Sequence, residues 1–426
     1  MTDAPAPRTE ARRRMLLRRR RVAATLAAAL VLALLAAAGY TAAVALTPLP
    51  ALTPALSVEP TQRIAADSSG AEAAVAAQTL PTAIGWADGE QVWSNDDTAY
   101  PLASVSKLIT VLVCLEAQPL EPGADGPTYT WTAADRARQN EYLAVDGVAY
   151  PIPVGTEITL RQMLQFIFLP SSNDYAAAYA YWTFGDNETF LAAVEEFAQK
   201  HGLSSVNFVE PTGMDERNRA NAADLVRVAR LAVANPTVRE FNGMPSAEMP
   251  WGIGLIENTN PLLGEVPGVI GVKTGALGAV GYNFVLAQQV DAFGREVTHI
   301  SVTLARPSKP ARAQSGRDML AAMAPLPQQF PLLEANTAVG SVRTWQGELV
   351  QLVTTDSAGT VLLPGEEVAL ELEIGEIDAA PAGTSVGEWN TATPTGDARV
   401  GVATTAPIAE PDLWWRLTNP GAVFGW

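Results

Sequence analysis

Ala103-Ser104-Val105-Ser106-Lys107-Leu108-Ile109-Thr110 sets a serine three residues before a lysine, at the head of the apolar run LASVSKLITVLVCLEA over residues 102–117. The run has few polar side chains and no Gly or Pro after Pro101, which predicts a helix buried nearly all round. On a helix, positions i and i+3 share a face, roughly 5–6 Å apart at Cβ. Ser104 Oγ and Lys107 Nζ are therefore expected to meet. The nearest acidic residues in sequence, Asp97 and Glu116, are more than two helical turns from Lys107. A lysine buried without an acidic partner loses its proton readily. A neutral amine beside a hydroxyl is a general base beside a nucleophile.

Lysine usage sharpens this reading against chance or a merely structural, snorkelling lysine. Of 28 basic residues only Lys107, Lys200, Lys273 and Lys309 are lysine; the rest are arginine. Arginine cannot be deprotonated in a protein. A chain this rich in arginine that keeps lysine inside an apolar helix points to a need for the neutral amine. The single cysteine, Cys114, lies in the same run and reads as a small core residue; no intrachain disulfide is possible.

The N-terminus carries eight arginines within residues 1–21, then residues 22–47 without a charge. That span is long enough to cross a bilayer. The arginines are expected to stay in the cytoplasm as a basic segment, 1–21, with a transmembrane helix at 22–47 and the remainder outside, a single-pass protein of the cell membrane. Cleavage after Ala43-Val44-Ala45 is the alternative, since the triplet resembles a signal-peptidase site. With eight of the 28 basic and two of the 45 acidic residues removed, the rest of the chain has a formal net charge of −23. Such a surface disfavours nucleic acid, and an anionic ligand would need a local cationic pocket.

Residues 48–77, rich in Pro, Ala and Ser, read as a linker. Residues 82–94 read as a hairpin turning at Asp88-Gly89, leading into Pro101 and the Ser104 helix. Helices are expected at 158–169, 174–182 and 186–201, and from an Asn221 N-cap to about Val233. Residues 268–275, 281–290 and 296–305 read as paired strands, and 312–323 as a closing helix. After Pro325-Leu326-Pro327 the composition changes to short alternating stretches separated by Gly and Pro, the pattern of a small all-β domain over 332–426. The expected fold is α+β: a catalytic domain over 78–327 in which a sheet packs with helices, then the β domain.

Three pieces stand in order: Ser104-x-x-Lys107, Ser171-x-Asn173 and Lys273-Thr274-Gly275. This series resembles the signature of penicillin-binding proteins and serine β-lactamases. Ser172-Asn173-Asp174, Pro211-Thr212-Gly213-Met214-Asp215 ahead of Ala223-Asp224, and Ala382-Gly383-Thr384-Ser385-Val386-Gly387-Glu388 bring residues 78–426 closest to the low-molecular-weight penicillin-binding proteins, D-alanyl-D-alanine carboxypeptidases. The resemblance implies the penicillin-binding transpeptidase fold and an acyl-enzyme on Ser104. It implies Lys107 as base, Ser171 as proton relay to the leaving amine and Asn173 as holder of the substrate amide. It implies Lys273, Thr274 and Gly275, with Arg312, around the substrate carboxylate, and an oxyanion hole from the N–H groups of Ser104 and Ala276. The implied partners are a peptidoglycan stem peptide ending in D-Ala-D-Ala, and β-lactams as inhibitors; no cofactor or metal is called for.

Two departures from the family pattern stand out. Ser172 replaces the usual glycine, which is expected to narrow the cleft. The anchor is N-terminal, with Trp414-Trp415-Arg416 and a short Gly/Pro-containing stretch where relatives carry an amphipathic helix. Three other readings compete. A Ser-His-Asp hydrolase would have to use His201 or His299, neither near a G-x-S-x-G motif. A serine β-lactamase would need a deacylating glutamate, for which Glu210 and Glu216 are the candidates. A non-catalytic wall-binding protein of the same fold would carry a degenerate site. Because all three motifs precede residue 276, the β domain is expected to be dispensable for the chemistry.

Overall fold

The computed structural model describes residues 8–426; the first seven residues of the basic segment lie outside them. The chain divides into two compact units. One comprises Ile64–Phe330 and Gly359–Val368, the other the described residues up to Arg63, Pro331–Ala358 and Ala369–Trp426.

The first unit is built on a five-stranded antiparallel sheet. Its spatial order is Val269–Leu277, Gly281–Ala292, Arg295–Arg306, Thr82–Trp86, Val92–Ser94. The first three strands are a meander of β-branched and apolar residues. The hairpin Thr82–Trp86 and Val92–Ser94 joins its far side, and its loop is pinned by Gly89 N–H donating to the Trp86 carbonyl. Helix Lys309–Met323 packs on the two long strands. Helix Ser106–Ala117 is the centre of the helical region, with ten of its twelve residues buried. Helices Asn173–Phe184, Asn187–Lys200 and Ala222–Ala234 pack around it. Asn221 caps the last of these by accepting from Asp224 N–H, as its sequence position predicts.

Neither histidine is placed for catalysis. His299 sits in the sheet edge-on to Trp86, buried and with no hydrogen-bond partner among the described residues. Burial pushes its pKa down to about 4, so it is a neutral core residue. His201 caps helix Asn187–Lys200 and pairs with Glu116 at the surface. The triad reading has no geometry to support it.

The second unit holds a seven-stranded sheet, in order Pro54–Leu56, Ala338–Arg343, Leu349–Thr354, Gly396–Thr404, Ser385–Thr393, Glu367–Ile374, Thr61–Ala65. The alternation that predicts strands is the alternation of burial: Glu367–Ile374 places Val368, Leu370 and Leu372 inward and its glutamates outward. A linker over 48–77 is not what forms. Pro54–Leu56 and Thr61–Ala65 are the two edge strands of this sheet, and Ser69–Ala76 is a helix. The pieces are three, five and eight residues long, too short to show a period. The two strands pair with partners far along the chain, so tertiary context overrides composition. Pro54 is tolerated because an edge strand can leave one side unpaired.

The cut near residue 327 is also less clean than composition suggests. Gly359–Val368 returns to the first unit, where Leu363 joins the core around Trp86, Trp93, Met319 and Met323. There Glu366 forms a two-pronged ion pair with Arg295. At the N-terminus stands helix Arg8–Leu46, whose apolar stretch is long enough to cross a membrane and fits either an anchor or a signal sequence.

Candidate active site

The Ser104 segment is not helical from its start. Ala103–Val105 is a 3-10 turn, and the α-helix begins at Ser106. Ala103 has φ +48, a left-handed value that a residue with a β-carbon takes only when its surroundings hold it there. Those surroundings are visible. Asn283 Nδ2 donates to the carbonyls of Pro101 and Leu102, at 2.9 and 3.0 Å, from the neighbouring strand. Leu102 N–H donates to the Asn218 carbonyl. Gly213, at φ +83, lies so close that a β-carbon there would fall 1.8 Å from the Ala103 carbonyl oxygen. Gly275 meets the same turn from the sheet side, where a β-carbon would be 2.8 Å from the Leu102 carbonyl oxygen. Two glycines thus let a loop and a strand clamp the serine turn from both sides.

Within that clamp Lys107 is fully buried. Its Nζ lies 2.8 Å from Ser104 Oγ, 2.6 Å from Asn173 Oδ1 and 2.8 Å from the Thr212 carbonyl oxygen. Among the described residues no carboxylate touches it. Burial brings its pKa down to about 7, against the opposing negative charges of Glu210 and Asp174. The i, i+3 meeting expected from sequence is realised, with the first step supplied by a 3-10 turn.

Ser171 and Lys273 form a second pair. Ser171 sits at φ +69 between helices, and its Oγ accepts from Lys273 Nζ at 2.8 Å. Lys273 is buried, and burial together with the positive charges of Lys107 and Arg312 holds its pKa well below the usual lysine value. Thr274 Oγ1 is 2.7 Å from Thr259 Oγ1, and Arg312 Nη2 donates to the Thr259 carbonyl. The Arg312 guanidinium lies over the rings of Tyr282 and Phe284. Gly275 is pressed against the Ser104 turn, and Ala276 follows it exposed on the same strand. The site therefore offers a hydroxyl beside a neutralisable amine, a second hydroxyl beside a second lysine, and a basic wall formed by Lys273 and Arg312.

Ser172 does not narrow this cleft. It is fully buried, and its hydroxyl donates to the Asp174 carboxylate at the start of helix Asn173–Phe184. Nor are the two glutamates poised to deacylate. The Glu210 carboxylate accepts from Thr212, Gly213 and Asp215 N–H groups, the Thr212 hydroxyl and the Asn218 amide. It is fully engaged in shaping the turn that presents the Thr212 carbonyl to Lys107. Glu216 is exposed. Asn283, Asn218 and Thr259 escape a sequence reading, and Thr212 enters it only as part of the motif at residues 211–215, without its contact to Lys107. Only Asn283 leaves a trace, a lone amide in the apolar strand run Tyr282-Asn283-Phe284-Val285-Leu286.

A serine with a buried lysine amine one turn away, on a turn pressed against a meander sheet whose edge carries Lys-Thr-Gly, has the arrangement of an acylating serine enzyme of the penicillin-binding fold. The family model for D-alanyl-D-alanine carboxypeptidase, peptidase family S11, matches residues 91–307, and the chain belongs to that family. D-alanyl-D-alanine carboxypeptidase DacF of Bacillus subtilis is 26% identical over 297 residues, covering 67% of this chain and 73% of that protein. A D-alanyl-D-alanine endopeptidase of Escherichia coli is 28% identical over 234 residues, covering 49% of this chain and 69% of its own. Penicillin-binding protein 5 of Haemophilus influenzae shares the fold, with a TM-score of 0.54 at 19% identity over 78% of this chain and 97% of that one. The chain is a serine-type D-Ala-D-Ala carboxypeptidase and a penicillin-binding protein; the β-lactamase and non-catalytic readings are not favoured.

Proposed function

We propose that the enzyme removes the terminal D-Ala of peptidoglycan stem peptides at the outer face of the cell membrane, through an acyl-enzyme on Ser104. The terminal carboxylate enters the wall of Lys273, Thr274 and Arg312, and Asn173 holds the substrate amide. Ser104 Oγ attacks the penultimate D-Ala carbonyl and its proton passes to Lys107 Nζ. The carbonyl oxygen becomes an oxyanion facing the N–H groups of Ser104 and Ala276. As the C–N bond breaks, the leaving amine takes a proton through Ser171, which is hydrogen-bonded to Lys273. Water then attacks the ester, the Ser104 oxygen recovers its proton, and the shortened peptide leaves. A β-lactam acylates the same oxygen.

The observation that carries this reading is Lys107 Nζ, 2.8 Å from Ser104 Oγ with no carboxylate in contact among the described residues. Mass spectrometry after incubation with a fluorescent penicillin, followed by peptide mapping, tests it. The adduct is expected on Ser104; an adduct on Ser106 or Ser171 would overturn the assignment. The location is tested separately. Protease added to spheroplasts should digest everything beyond residue 47, and a protein found in the medium starting at Leu46 would refute the anchored form.

A further inference from the structure

We infer that residues 412–426 form a membrane-interface collar around the outer end of the N-terminal helix, with Arg416 capping that helix and Trp414 and Trp426 seated in the lipid headgroup layer. The inference rests on the N-terminal helix being a retained anchor, and it also bears on whether that helix is cut off.

Distance along the helix sets the level of the collar. Arg21 is the last of the basic cluster, and Tyr40 lies 19 residues further on. At 1.5 Å per residue that separation is about 28 Å, close to the ~30 Å of a bilayer's hydrocarbon core. With Arg21 at the inner surface, Tyr40 stands at the outer one, where tyrosine and tryptophan concentrate. The Tyr40 hydroxyl donates to the Leu417 carbonyl at 2.9 Å. The short helix Leu413–Thr418 is thereby fixed to the anchor at the height where lipid gives way to water.

The end of the anchor helix then meets a cap. The last carbonyls of a helix lack intrahelical partners and carry the negative end of its dipole. The Arg416 guanidinium, buried itself, donates to the Thr47 carbonyl at 3.0 Å and to the Val44 carbonyl at 3.5 Å. Val44 is fully buried there, whereas the helix before it is exposed almost throughout. A cut after Ala45 would fall between the two capped carbonyls. It would strip Val44 from its packing and remove one of the two capped carbonyls, leaving the guanidinium with the Thr47 carbonyl and Glu410. The contact is that of a helix meant to stay.

The collar's outer face is aromatic. Of the chain's ten tryptophans, Trp414 and Trp426 are exposed, at 73% and 83%, and the others are buried or half-buried. Leu413 is exposed beside them, and the Phe424 and Trp426 rings stack at 5.2 Å. Residues 412–426 carry only Asp412 and Arg416 as charges. Seating them in the interface therefore depends on aromatic burial rather than attraction to anionic lipid, and needs no acidic headgroups.

The test uses the full chain reconstituted in phosphatidylcholine vesicles. Tryptophan emission is compared between the wild type and a Trp414→Phe, Trp426→Phe double variant. The component lost in the variant should be quenched by phospholipid brominated near the headgroup and shielded at least threefold from aqueous iodide, with penicillin acylation unchanged. Arg416→Ala should speed hydrogen exchange of amides 413–424 about tenfold, and Arg416→Lys should restore part of the protection. If the helix is embedded but the lost component is quenched by iodide and not by bromolipid, the collar is wrong and the anchor stands; that face would then suit a protein partner. If the protein from cells lacks its first 45 residues, the anchor reading fails and the collar with it.

Discussion

Lowering the pH from 8 to 6 should slow the acylation step about tenfold. In the proposed mechanism the active form of Lys107 is the neutral amine, and burial places its pKa at about 7. At pH 8 roughly nine-tenths of the enzyme carries the free amine; at pH 6 roughly one-tenth does, and each further unit down costs another tenfold. The sign follows from the lysine being a base: rate rises with pH through the pKa and levels above it. The measurement is the saturating acylation rate with a fluorescent penicillin by stopped flow. Saturation matters because Lys273 also has a depressed pKa, and its loss of charge at high pH would weaken binding of the free ligand. With the ligand bound throughout, weakened binding no longer enters the measured rate, and the profile follows Lys107. Lys107→Arg removes the base, which typically costs ~10²–10⁴-fold, and should flatten the profile. A wild-type rate that rises only above pH 9, or a Lys107→Arg enzyme that retains the inflection near 7, would show that another group takes the proton from Ser104.

Lys273→Arg should be milder than Lys107→Arg, because arginine can also bind a carboxylate, even bidentately; equal damage from both, measured by D-Ala release from a D-Ala-D-Ala peptide, would contradict the division of roles between the two lysines. Glu210→Gln should move the pH inflection of acylation below 7, since Glu210 is the first of the charges that raise Lys107; an unmoved inflection in a folded variant would remove Glu210 from the electrostatics of the site. Asn283→Ala removes three hydrogen bonds, to Pro101 O, Leu102 O and from Ala305 N–H, so thermal unfolding should show a loss of about 3 kcal/mol at ~1 kcal/mol each, with slower acylation. A chain cut after Phe330 should fold poorly or not at all. It loses Leu363 from the Trp86 core and leaves Arg295, only 7% exposed, without Glu366, a change of the kind that costs ~3–5 kcal/mol of the ~5–15 available. A melt within a few degrees of the full chain would show that Gly359–Val368 is dispensable.

The parts of the fold legible in the sequence are those whose signal is local. The buried helix after Ser104, the meander over 269–306 and the alternating strands after Pro327 each announce themselves by periodicity or by an apolar run. So do the three motifs, because each packs its chemistry into three or four consecutive residues. What escaped is long-range. Pro54–Leu56 and Thr61–Ala65 have no pattern of their own and become strands by adding to the sheet's edges. Gly359–Val368 looks like its neighbours yet packs in the other unit. In the site, the third partner of Lys107 is a backbone carbonyl, that of Thr212. A carbonyl has no residue identity to read, and only the structure shows why the turn after Glu210 must exist.

The two lysines also explain why a substrate carboxylate should matter to chemistry and not only to binding. The site holds Lys107, Lys273 and Arg312 close enough for the charges of Lys107 and Arg312 to depress Lys273. A carboxylate arriving beside Lys273 and Arg312 offsets those charges, so Lys107 can accept the Ser104 proton at lower cost as the transition state forms. The favourable field therefore grows along the reaction coordinate, which is where binding energy raises rate rather than affinity alone. The consequence is measurable. A peptide with its terminal carboxylate converted to an amide should lose acylation rate at saturation. In Lys273→Met, where the main partner of that carboxylate is already gone, the same conversion should cost only a small further factor. Loss confined to KM, with the saturating rate intact, would mean that the carboxylate only docks the substrate and that Lys107 works independently of it.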